Sequence, residues 1–259
     1  MKILNKNYNI DNKLNKNIIL ISDIHYNDCT DLNRLNFVLK EIRKHRPDYI
    51  CIPGDIINKA NIDNEKEFIE WLKNLSKITK VIISLGNHEF YVNKNKDIYN
   101  LNKELIKKIK DINNLYLLDN ENVVIDNINF IGLTIEYNKK NKLCYEEINK
   151  IKIYKKYYNI LLCHNPLNIC DKKILKDKNI DLILCGHMHG GVLPNFLRKL
   201  FKNRGLISPN KGLFPKYAYG YLKIENSNII ISSGIRVLPF KLLNKLFRME
   251  IVKIQIWLF

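Results

Sequence analysis

The sequence predicts an α/β fold with a largely parallel sheet in its first half. Short apolar runs alternate there with segments of helical periodicity, which is the pattern of successive strand–helix units. The length of 259 residues suits one α/β domain, and a hydrophobic fraction of 46% is enough to bury a full core. We therefore expect a single domain over residues 1–259.

Three strand–helix units are expected before the middle of the chain. Each begins with a short apolar run bounded by polar residues, which is typical of a buried strand. Each continues with apolar residues at helical spacing, such as Leu32, Leu35 and Leu39, which predict an amphipathic helix. The units are strand 17–22 with helix 31–44, strand 48–52 with helix 65–77, and strand 81–85 with helix 97–110.

The second half of the chain begins with a different pattern. Three short strands separated by Asn-rich turns, at 115–118, 123–125 and 130–134, predict a more antiparallel section. Helix 145–155 follows. After the expected strand 180–185 and the histidine segment behind it, a long loop-like stretch runs to about residue 216. Further strands are expected at 159–163, 180–185, 219–224, 229–232 and 250–259.

The chain carries a formal net charge of +17, which is unusually basic. A basic surface attracts polyanions such as nucleic acid, anionic lipid headgroups or phosphorylated substrates. The alternative is that Lys merely fills solvated positions, since the chain is rich in Lys, Asn and Ile, as AT-rich coding produces. Composition alone leaves both interpretations open.

The cysteines and the first residues of the chain favour a cytoplasmic protein. There is no CxxC pair, and Cys51, Cys163 and Cys185 lie in apolar runs, where a thiol acts as a small hydrophobe. This usage indicates a reducing compartment. We find no apolar stretch typical of a signal peptide and no window of about 18 uncharged apolar residues, which a membrane-spanning helix needs. We therefore expect a cytoplasmic protein, either free or peripheral on the inner face of a membrane.

Five of the expected strands end in residues of metal-ligand type. In open α/β sheets, ligands gather at the carboxyl ends of the strands. Five of the six histidines lie at these ends, and His45 lies elsewhere. A single histidine at a strand end is usually structural, but five of them with two Asp and one Asn favour a metal site. The segments are Asp23-Ile24-His25, Gly54-Asp55, Gly86-Asn87-His88-Glu89, His164 and Gly186-His187-Met188-His189.

The mixture of carboxylate and imidazole donors restricts the metal. The Asp-x-His spacing places Asp23 and His25 on the same side of an extended segment, so both can face one cation. Mixed donors suit Mn²⁺, Fe and Zn²⁺, whereas an all-oxygen set would suit Mg²⁺ or Ca²⁺. Two cations about 3.5–4 Å apart need a shared carboxylate, and they can clamp the attacking and leaving oxygens of a displacement.

The ordered motifs D-x-H, G-D, G-N-H-E, H and G-H-x-H resemble those of the calcineurin-like metallophosphoesterase superfamily, and the match spans residues 23–189. Gly190-Gly191 and the segments 212–217 and 232–235 look like the bacterial branch of membrane-associated and cell-envelope phosphodiesterases. The resemblance implies a four-layer α/β/β/α sandwich with mixed sheets. It also implies a hydrolase that cleaves phosphomonoesters or phosphodiesters.

The resemblance assigns roles to the site residues. Asp55 would bridge two cations, and a hydroxide held between them would attack the phosphorus. His88 would be the catalytic residue that stabilises the transition state or protonates the leaving oxygen, and Glu89 would orient it. Mn²⁺ is the expected metal, with Zn²⁺ or Fe as alternatives. The expected ligands are Asp23, His25 and His189 for the first metal, and Asn87, His164 and His187 for the second.

One segment departs from the pattern of that branch. After Ser233-Gly234 the branch usually carries a longer Gly-rich turn and an Arg that follows a Pro. Residues 234–241 read GIRVLPFK here, which is shorter and places Lys241 at the position of that Arg. The departure concerns substrate contacts and leaves the expected metal ligands unchanged.

Two segments near the expected site, 194–205 and 239–248, interleave large apolar residues with Lys and Arg. The first would form an interfacial helix, as helices that sit among anionic headgroups do. Alternatively its apolar side packs on the protein body while the cations reach solvent. Membrane contact would suit a lipid or envelope-linked substrate. The expected stripe and its flanking cations are Phe196, Leu197, Leu200 and Phe201 with Arg198, Lys199, Lys202 and Arg204.

Two other functions compete with this hydrolase. Basic charge draws nucleic acid, so a nuclease is one alternative, although the basic residues are interleaved with large aliphatics and no accessory domain is evident. A non-catalytic scaffold is the other, and it is disfavoured because every ligand position and His88 are intact. The expected partners are a phosphate-ester substrate and an anionic membrane surface, and no protein partner is predicted.

Overall fold

Two six-stranded sheets lie face to face in the computed structural model. The structure describes residues 3–26, 32–58, 64–92, 98–100, 103–135, 142–176, 178–207, 212–235 and 246–258. The helices are α1 (Leu32–Lys44), α2 (Glu65–Ser76), α3 (Lys103–Lys110), α4 (Lys142–Lys150), α5 (Pro166–Ile169), α6 (Lys172–Leu175) and α7 (Arg198–Phe201). Among these described helices, none combines the length and the apolar character that crossing a bilayer requires.

The strands of the first sheet are β1 (Ile3–Asp11), β2 (Lys16–Leu20), β3 (Tyr49–Pro53), β4 (Lys80–Ser84), β7 (Leu115–Leu118) and β14 (Met249–Trp257). Those of the second are β8 (Glu121–Ile125), β9 (Ile128–Leu133), β10 (Tyr158–Cys163), β11 (Leu182–Cys185), β12 (Gly220–Ile224) and β13 (Ser227–Ile231). A separate pair consists of β5 (Phe90–Val92) and β6 (Ile98–Asn100).

The alternation of apolar residues along the strands builds four layers. In β2, Ile19 belongs to an outer core that includes Leu35 of α1 and Phe68 of α2. Its neighbour Ile18 faces the opposite way, into a core shared with Phe130 of the second sheet. A third core lies between the second sheet and helices α4 to α6. Because successive side chains point to opposite faces, both sheets are covered on both sides, and the predicted α/β/β/α sandwich is confirmed.

Each sheet combines parallel and antiparallel strands. The first has the order β1-β14-β2-β3-β4-β7, in which β2, β3, β4 and β7 are parallel and β14 is antiparallel to β2. The second has the order β12-β13-β11-β10-β9-β8, in which β9, β10, β11 and β13 are parallel. Asp55 after β3 and His164 after β10 lie 3.0 Å apart, so the carboxyl ends of parallel strands from both sheets meet at one edge.

Three strands, β1, β5 and β6, lie where the sequence predicts none. Residues 98–100, expected within helix 97–110, pair as β6 with β5, so α3 begins only at Lys103. Strand β1 escapes sequence prediction because it is polar and only Ile10 in it is fully buried. It pairs in parallel with β14 at the edge of the first sheet, where one partner strand is enough to form it.

Helix α4 covers Lys142–Lys150 instead of the predicted 145–155. Beyond its end, the carbonyl of Lys152 accepts a hydrogen bond from the Asn129 side chain, and the carbonyl of Tyr154 accepts one from Asn159. Both asparagines are buried in the second sheet. Hydrogen bonds to the sheet therefore replace the helical bonds that local propensity favours.

Replacing Phe130 by Ala tests the packing between the sheets. Phe130 is fully buried, and its ring lies 5.0 Å from the ring of Tyr49 in the opposite sheet. We expect the free energy of unfolding, measured by urea titration, to fall by about 3–5 kcal/mol because a cavity remains. The control Val124→Ala, at a side chain 39% exposed on β8, should change it by less than about 0.5 kcal/mol. Equal effects of the two substitutions would contradict the close packing.

Candidate metal centre

The predicted site residues all lie just beyond the carboxyl ends of five strands. Strands from both sheets contribute, so the core between the sheets fixes the distance between the two halves of the cluster. In order, Asp23 and His25 follow β2, Asp55 follows β3, Asn87 and His88 follow β4, His164 follows β10, and His187 and His189 follow β11.

Five of these residues have a positive φ angle, in the left-handed region of backbone conformation that residues other than glycine rarely adopt. Strain of this kind persists only where the surroundings over-determine the backbone. The close approach of two loops supplies one such constraint, because a Cβ added at Gly54 would lie 2.5 Å from the nitrogen of Gly86. The φ angles are 52° at Asp23, 48° at His25, 52° at Asp55, 68° at His187 and 46° at His189.

The Asp23 carboxylate is fully buried and is held from several directions. The Ser22 hydroxyl donates to Oδ2 at 2.5 Å, and the backbone N–H of His187 donates to Oδ1 at 3.0 Å. The turn at Gly234 closes against the same side chain, since a Cβ added there would lie 2.7 Å from the Asp23 Cβ. The bond from His187 ties a loop of the second sheet to a loop of the first.

A hydrogen bond at Nδ1, the ring nitrogen that points away from the other site residues, orients the ring of His164. Nδ1 lies 2.7 Å from the carbonyl oxygen of Pro53 and donates to it, because a carbonyl can only accept. Nε2 then lies 3.0 Å from Oδ2 of Asp55. Metal-ligating histidines commonly donate their other nitrogen to a carbonyl in this way. His164 is thus presented to the site through Nε2.

Glu89 does not have the predicted role of orienting His88. It is buried, and both of its carboxylate oxygens are taken up by backbone groups of the loops after β3 and β4. The Nδ1 atom of His88 lies instead 3.2 Å from the carbonyl of Asn58. Glu89 therefore joins two loops that carry expected ligands. It accepts hydrogen bonds from the N–H groups of Gly86 at 2.5 Å, Asp55 at 2.9 Å and Ile57 at 3.1 Å.

Three groups of side chains are arranged so that each could hold a cation. Within each group the donor atoms all lie within 4.8 Å of one another. Asp55 belongs to two of the groups, with Oδ2 3.7 Å from Nε2 of His25. It therefore lies between the two halves of the site. The groups are Asp23 with His25 and His189, His25 with Asp55 and His88, and Asp55 with His164 and His187.

The two carboxylates stay ionised although both are buried. Burial alone would raise the pKa of Asp23, but the neighbouring histidines, His189 foremost, outweigh it and hold that pKa below its ordinary value. Burial acts in the same way on the pKa of Asp55, and the charge and hydrogen bond of His164 outweigh it. The ionised form is the one that ligates metals.

The buried histidines are of two kinds. Burial lowers the pKa of His25 and of His187 to about 3, so both rings are neutral near pH 7. For His164, burial alone would lower the pKa, but the charge and hydrogen bond of Asp55 raise it to about 9. A cation bound at Asp55 would displace this proton, because metal binding releases protons from its ligands.

Several buried polar atoms of the site have no hydrogen-bond partner among the residues that the structure describes. They are both ring nitrogens of His25, Nε2 of His187 and Oδ1 of Asn87. An unpaired buried polar group costs about 1–3 kcal/mol. Lone pairs of neutral imidazole and amide groups beside ionised carboxylates are what a divalent cation would satisfy. The residues present therefore fit divalent metal ions.

Arg34 supports the site and is missed by reasoning from the sequence. It is buried on α1, and its guanidinium donates to the carbonyl of Ile235 at 2.7 Å and to that of Ile24 at 3.1 Å. Ile24 lies between two expected ligands, and Ile235 follows the turn that closes on Asp23. The one hint in the sequence is that Arg34 adjoins the apolar stripe of an amphipathic helix.

Arg198 is an internal residue, whereas the sequence predicts a surface cation. Its Nη1 atom donates to Oγ of Ser233 at 2.6 Å and to Oε2 of Glu250 at 3.1 Å. A Cβ added at Gly190 would collide with the guanidinium, so the fit is close. The buried ion pair therefore joins the loop after His189 to β14.

The apolar stripe expected in 194–205 is divided between the inside and the outside. Leu197 and Phe201, four residues apart, pack against a small core of Leu193, Ala218 and Tyr219. Phe196 and Leu200 are exposed on the adjoining side. Of the second segment, 239–248, only residues 246–248 are described. The shortened loop with Lys241 lies outside the described residues.

A two-sheet sandwich with Asp, His and Asn side chains gathered at the strand ends defines a class of metal-dependent α/β proteins. The sequence profile of the calcineurin-like phosphoesterase family matches residues 16–191, which is more than half of the chain. The protein therefore belongs to the calcineurin-like phosphoesterase family. The name of the family denotes enzymes that hydrolyse phosphoester bonds. The family and the site residues together indicate divalent metal binding.

Several bacterial proteins are similar to this chain. An uncharacterized metallophosphoesterase of Helicobacter pylori (strain ATCC 700392 / 26695) is 27% identical over 79% of this chain and 54% of its own length. One of Aquifex aeolicus (strain VF5) is 28% identical, over 75% and 73% respectively. The UDP-2,3-diacylglucosamine pyrophosphatase LpxG of Chlamydia muridarum (strain MoPn / Nigg) is 23% identical, over 76% and 72%. The chain spans about half the length of the Helicobacter and Campylobacter relatives that it matches.

Among solved structures, a 5'-nucleotidase precursor from Thermus thermophilus is 12% identical, with a TM-score of 0.48. The similarity covers 85% of this chain and 49% of that one.

Replacing Glu89 by Gln tests whether this residue positions the metal ligands. The amide can no longer accept with both oxygens, so the loops that carry Asp55 and Asn87 lose part of their connection. We expect the affinity for Mn²⁺, measured by competition with a chelator, to fall by about 10–100-fold. The control is Glu121→Gln, at a side chain 57% exposed on β8. Unchanged affinity in a folded Glu89→Gln variant would disprove the positioning role.

Proposed function

We propose that the protein hydrolyses phosphomonoester or phosphodiester bonds with two divalent cations held by Asp, His and Asn side chains. The observation that carries this proposal is the position of Asp55. Its buried Oδ2 lies 3.7 Å from Nε2 of His25 and 3.0 Å from Nε2 of His164, which are members of different ligand groups. A carboxylate shared in this way is what a two-metal centre requires.

The remaining ligands would divide into two sets on either side of Asp55. When bound, the two cations would supply an activated water as the nucleophile and would neutralise charge on the phosphate. We propose Mn²⁺ for both positions because the donors mix nitrogen and oxygen, and Zn²⁺ or Fe would suit the same set. Asp23, His25 and His189 would hold one cation, and Asn87, His164 and His187 the other.

His88 is the side chain that would act on the substrate. Its backbone N–H donates to Oδ1 of Asp55 at 2.9 Å, and Nε2 lies 3.9 Å from Oδ2 of the same carboxylate. The His88 side chain is nevertheless 34% exposed, whereas that of His25 is 5% exposed. An imidazole held beside the ligands but open to solvent can donate a hydrogen bond or a proton to the leaving oxygen.

Within this function we propose a lipid-linked phosphoester as the substrate. The relative from Chlamydia muridarum is named for a diacyl substrate. In this chain, Phe196 and Leu200 in the segment after His189 are 71% and 81% exposed. Apolar surface beside the site suits a substrate with an apolar part. We find no comparable support among the described residues for the nuclease or the scaffold.

Removal and replacement of the metal tests the proposal directly. Stripping the protein with a chelator should abolish hydrolysis of bis-p-nitrophenyl phosphate and p-nitrophenyl phosphate, and Mn²⁺ should restore it. Metal analysis of the active protein should find two cations per chain. Parallel samples with Zn²⁺ and Mg²⁺ compare the metals, and the ratio of diester to monoester rates narrows the substrate class. Activity that survives complete removal of metal would refute the proposal, and full activity with one cation would refute the two-metal centre.

Substitutions at Asp55 and His88 separate metal binding from catalysis. Asp55→Asn should lose both bound metal and activity, because the shared carboxylate is gone. His88→Ala should keep its metal content while kcat falls by about 10²–10⁴-fold, the usual contribution of a general acid. His45→Ala, at the one histidine outside the site, is the control and should leave kcat unchanged. A His88→Ala variant as active as the parent would exclude the catalytic role.

A further inference from the structure

An apolar surface is exposed beside the metal centre, in the loops that follow His189. Of the eleven large hydrophobic residues that are exposed in the described structure, six lie here, and we call them the apolar rim. Such a concentration of exposed apolar side chains marks an interaction site. The apolar rim consists of Val192 (45% exposed), Phe196 (71%), Leu200 (81%), Ile207 (43%), Leu213 (73%) and Phe214 (59%).

Backbone hydrogen bonds connect the described loop residues that carry the apolar rim. Ile207 and Leu213 pair as an antiparallel bridge, and the N–H of Phe214 donates to the carbonyl of Leu206 at 2.9 Å. The N–H of Leu206 in turn donates to the carbonyl of Gly191 at 2.7 Å. Because Gly191 is two residues from His189, the rim and an expected metal ligand share one loop.

The exposed charges around the apolar rim are all positive. No Asp or Glu occurs from Leu182 to Ile224. Several exposed cations on other elements have carboxylate partners, as Lys108 has Glu65. By contrast, the exposed cations of the rim loops form no ion pair within the part of the chain that the structure describes. They are Lys199, Lys202, Arg204 and Lys216.

We propose that the apolar rim docks on the surface of an anionic bilayer and thereby brings the metal centre to phosphoesters presented there. Apolar side chains would enter the boundary with the acyl chains, and the four cations would meet the headgroups. The docking itself is independent of catalysis, and only its consequence for the substrate rests on the proposed function. Nucleic acid would use the cations but leave the apolar side chains without a partner. A second copy of the chain would bring two strongly basic surfaces together, which their charge opposes.

Flotation of the full chain with vesicles tests the docking. Vesicles of equal parts phosphatidylcholine and phosphatidylglycerol should carry the protein upward, and vesicles of phosphatidylcholine alone should carry much less. Phe196→Asp and Leu200→Asp should each weaken binding by about tenfold or more. Each substitution removes a large apolar side chain that would be buried in the bilayer on docking. The matched control is Leu258→Asp, at a side chain 65% exposed beyond the end of β14. This strand is antiparallel to β2, so Leu258 lies at the opposite edge of the sandwich from the site.

Substitution of the cations tests the electrostatic part. Replacing Lys199, Lys202 and Lys216 by Gln should weaken binding by about fivefold per lysine, and added salt should reduce binding of the parent. The control replaces Lys66 and Lys73 of α2 and Lys77 directly after it, all of which are exposed, by Gln. Thermal melting of every variant ensures that folded proteins are compared.

The outcomes separate docking from catalysis and from other partners. Asp55→Asn should float as the parent does, so a parent that floats without hydrolysing any ester would leave the docking intact and refute the proposed function. Failure of the parent to float with anionic vesicles would overturn the docking, as would equal losses in Leu258→Asp and Leu200→Asp. DNA binding without flotation would assign the surface to nucleic acid. A dimer that dissociates in Leu200→Asp, without flotation, would assign it to a second copy.

Discussion

Two ionised carboxylates buried at one edge of the sandwich are the constraint on which the rest of the site depends. Asp23 and Asp55 are almost completely excluded from water, where a charge is stable only beside compensating groups. Backbone N–H groups and a protonated His164 meet part of this requirement in the protein alone. The requirement explains why five strands from two sheets end in ligand-type residues at the same place, and why neutral imidazoles surround the carboxylates.

A second set of charged residues, also buried, holds the loops from behind. Glu89 joins the loops after β3 and β4, Arg34 joins the loop after β2 to the turn that follows β13, and Arg198 joins the loop after β11 to β14. Each of these side chains lies outside the expected ligand set. The guanidinium groups of Arg34 and Arg198 are charged donors, and hydrogen bonds from charged donors are stronger than those between neutral groups. Several expected ligands have a backbone in the left-handed region, and these hydrogen bonds hold the loops that carry them. The site is therefore organised before any substrate arrives.

Most of the strands and the candidate ligands could be predicted from the sequence because both are local signals. Apolar runs such as 17–22 and 81–85 are readable in isolation, and each ligand follows its strand directly. What could not be predicted depends on distant partners. Arg198 reads as a surface cation because Glu250, its partner, is 52 residues away. The single domain and the role of each ligand remain predictions.

The position of β14 in the first sheet has a consequence for folding. It lies between β1 and β2, and Ile3 pairs with Met249, so β1 has no neighbour in the sheet until β14 has been made. Pairing over so long a sequence separation is slow, because loop closure precedes any gain from contacts. During synthesis, the edges of β1 and β2 that later pair with β14 are exposed and unpaired. Exposed strand edges can pair wrongly with strands of other chains.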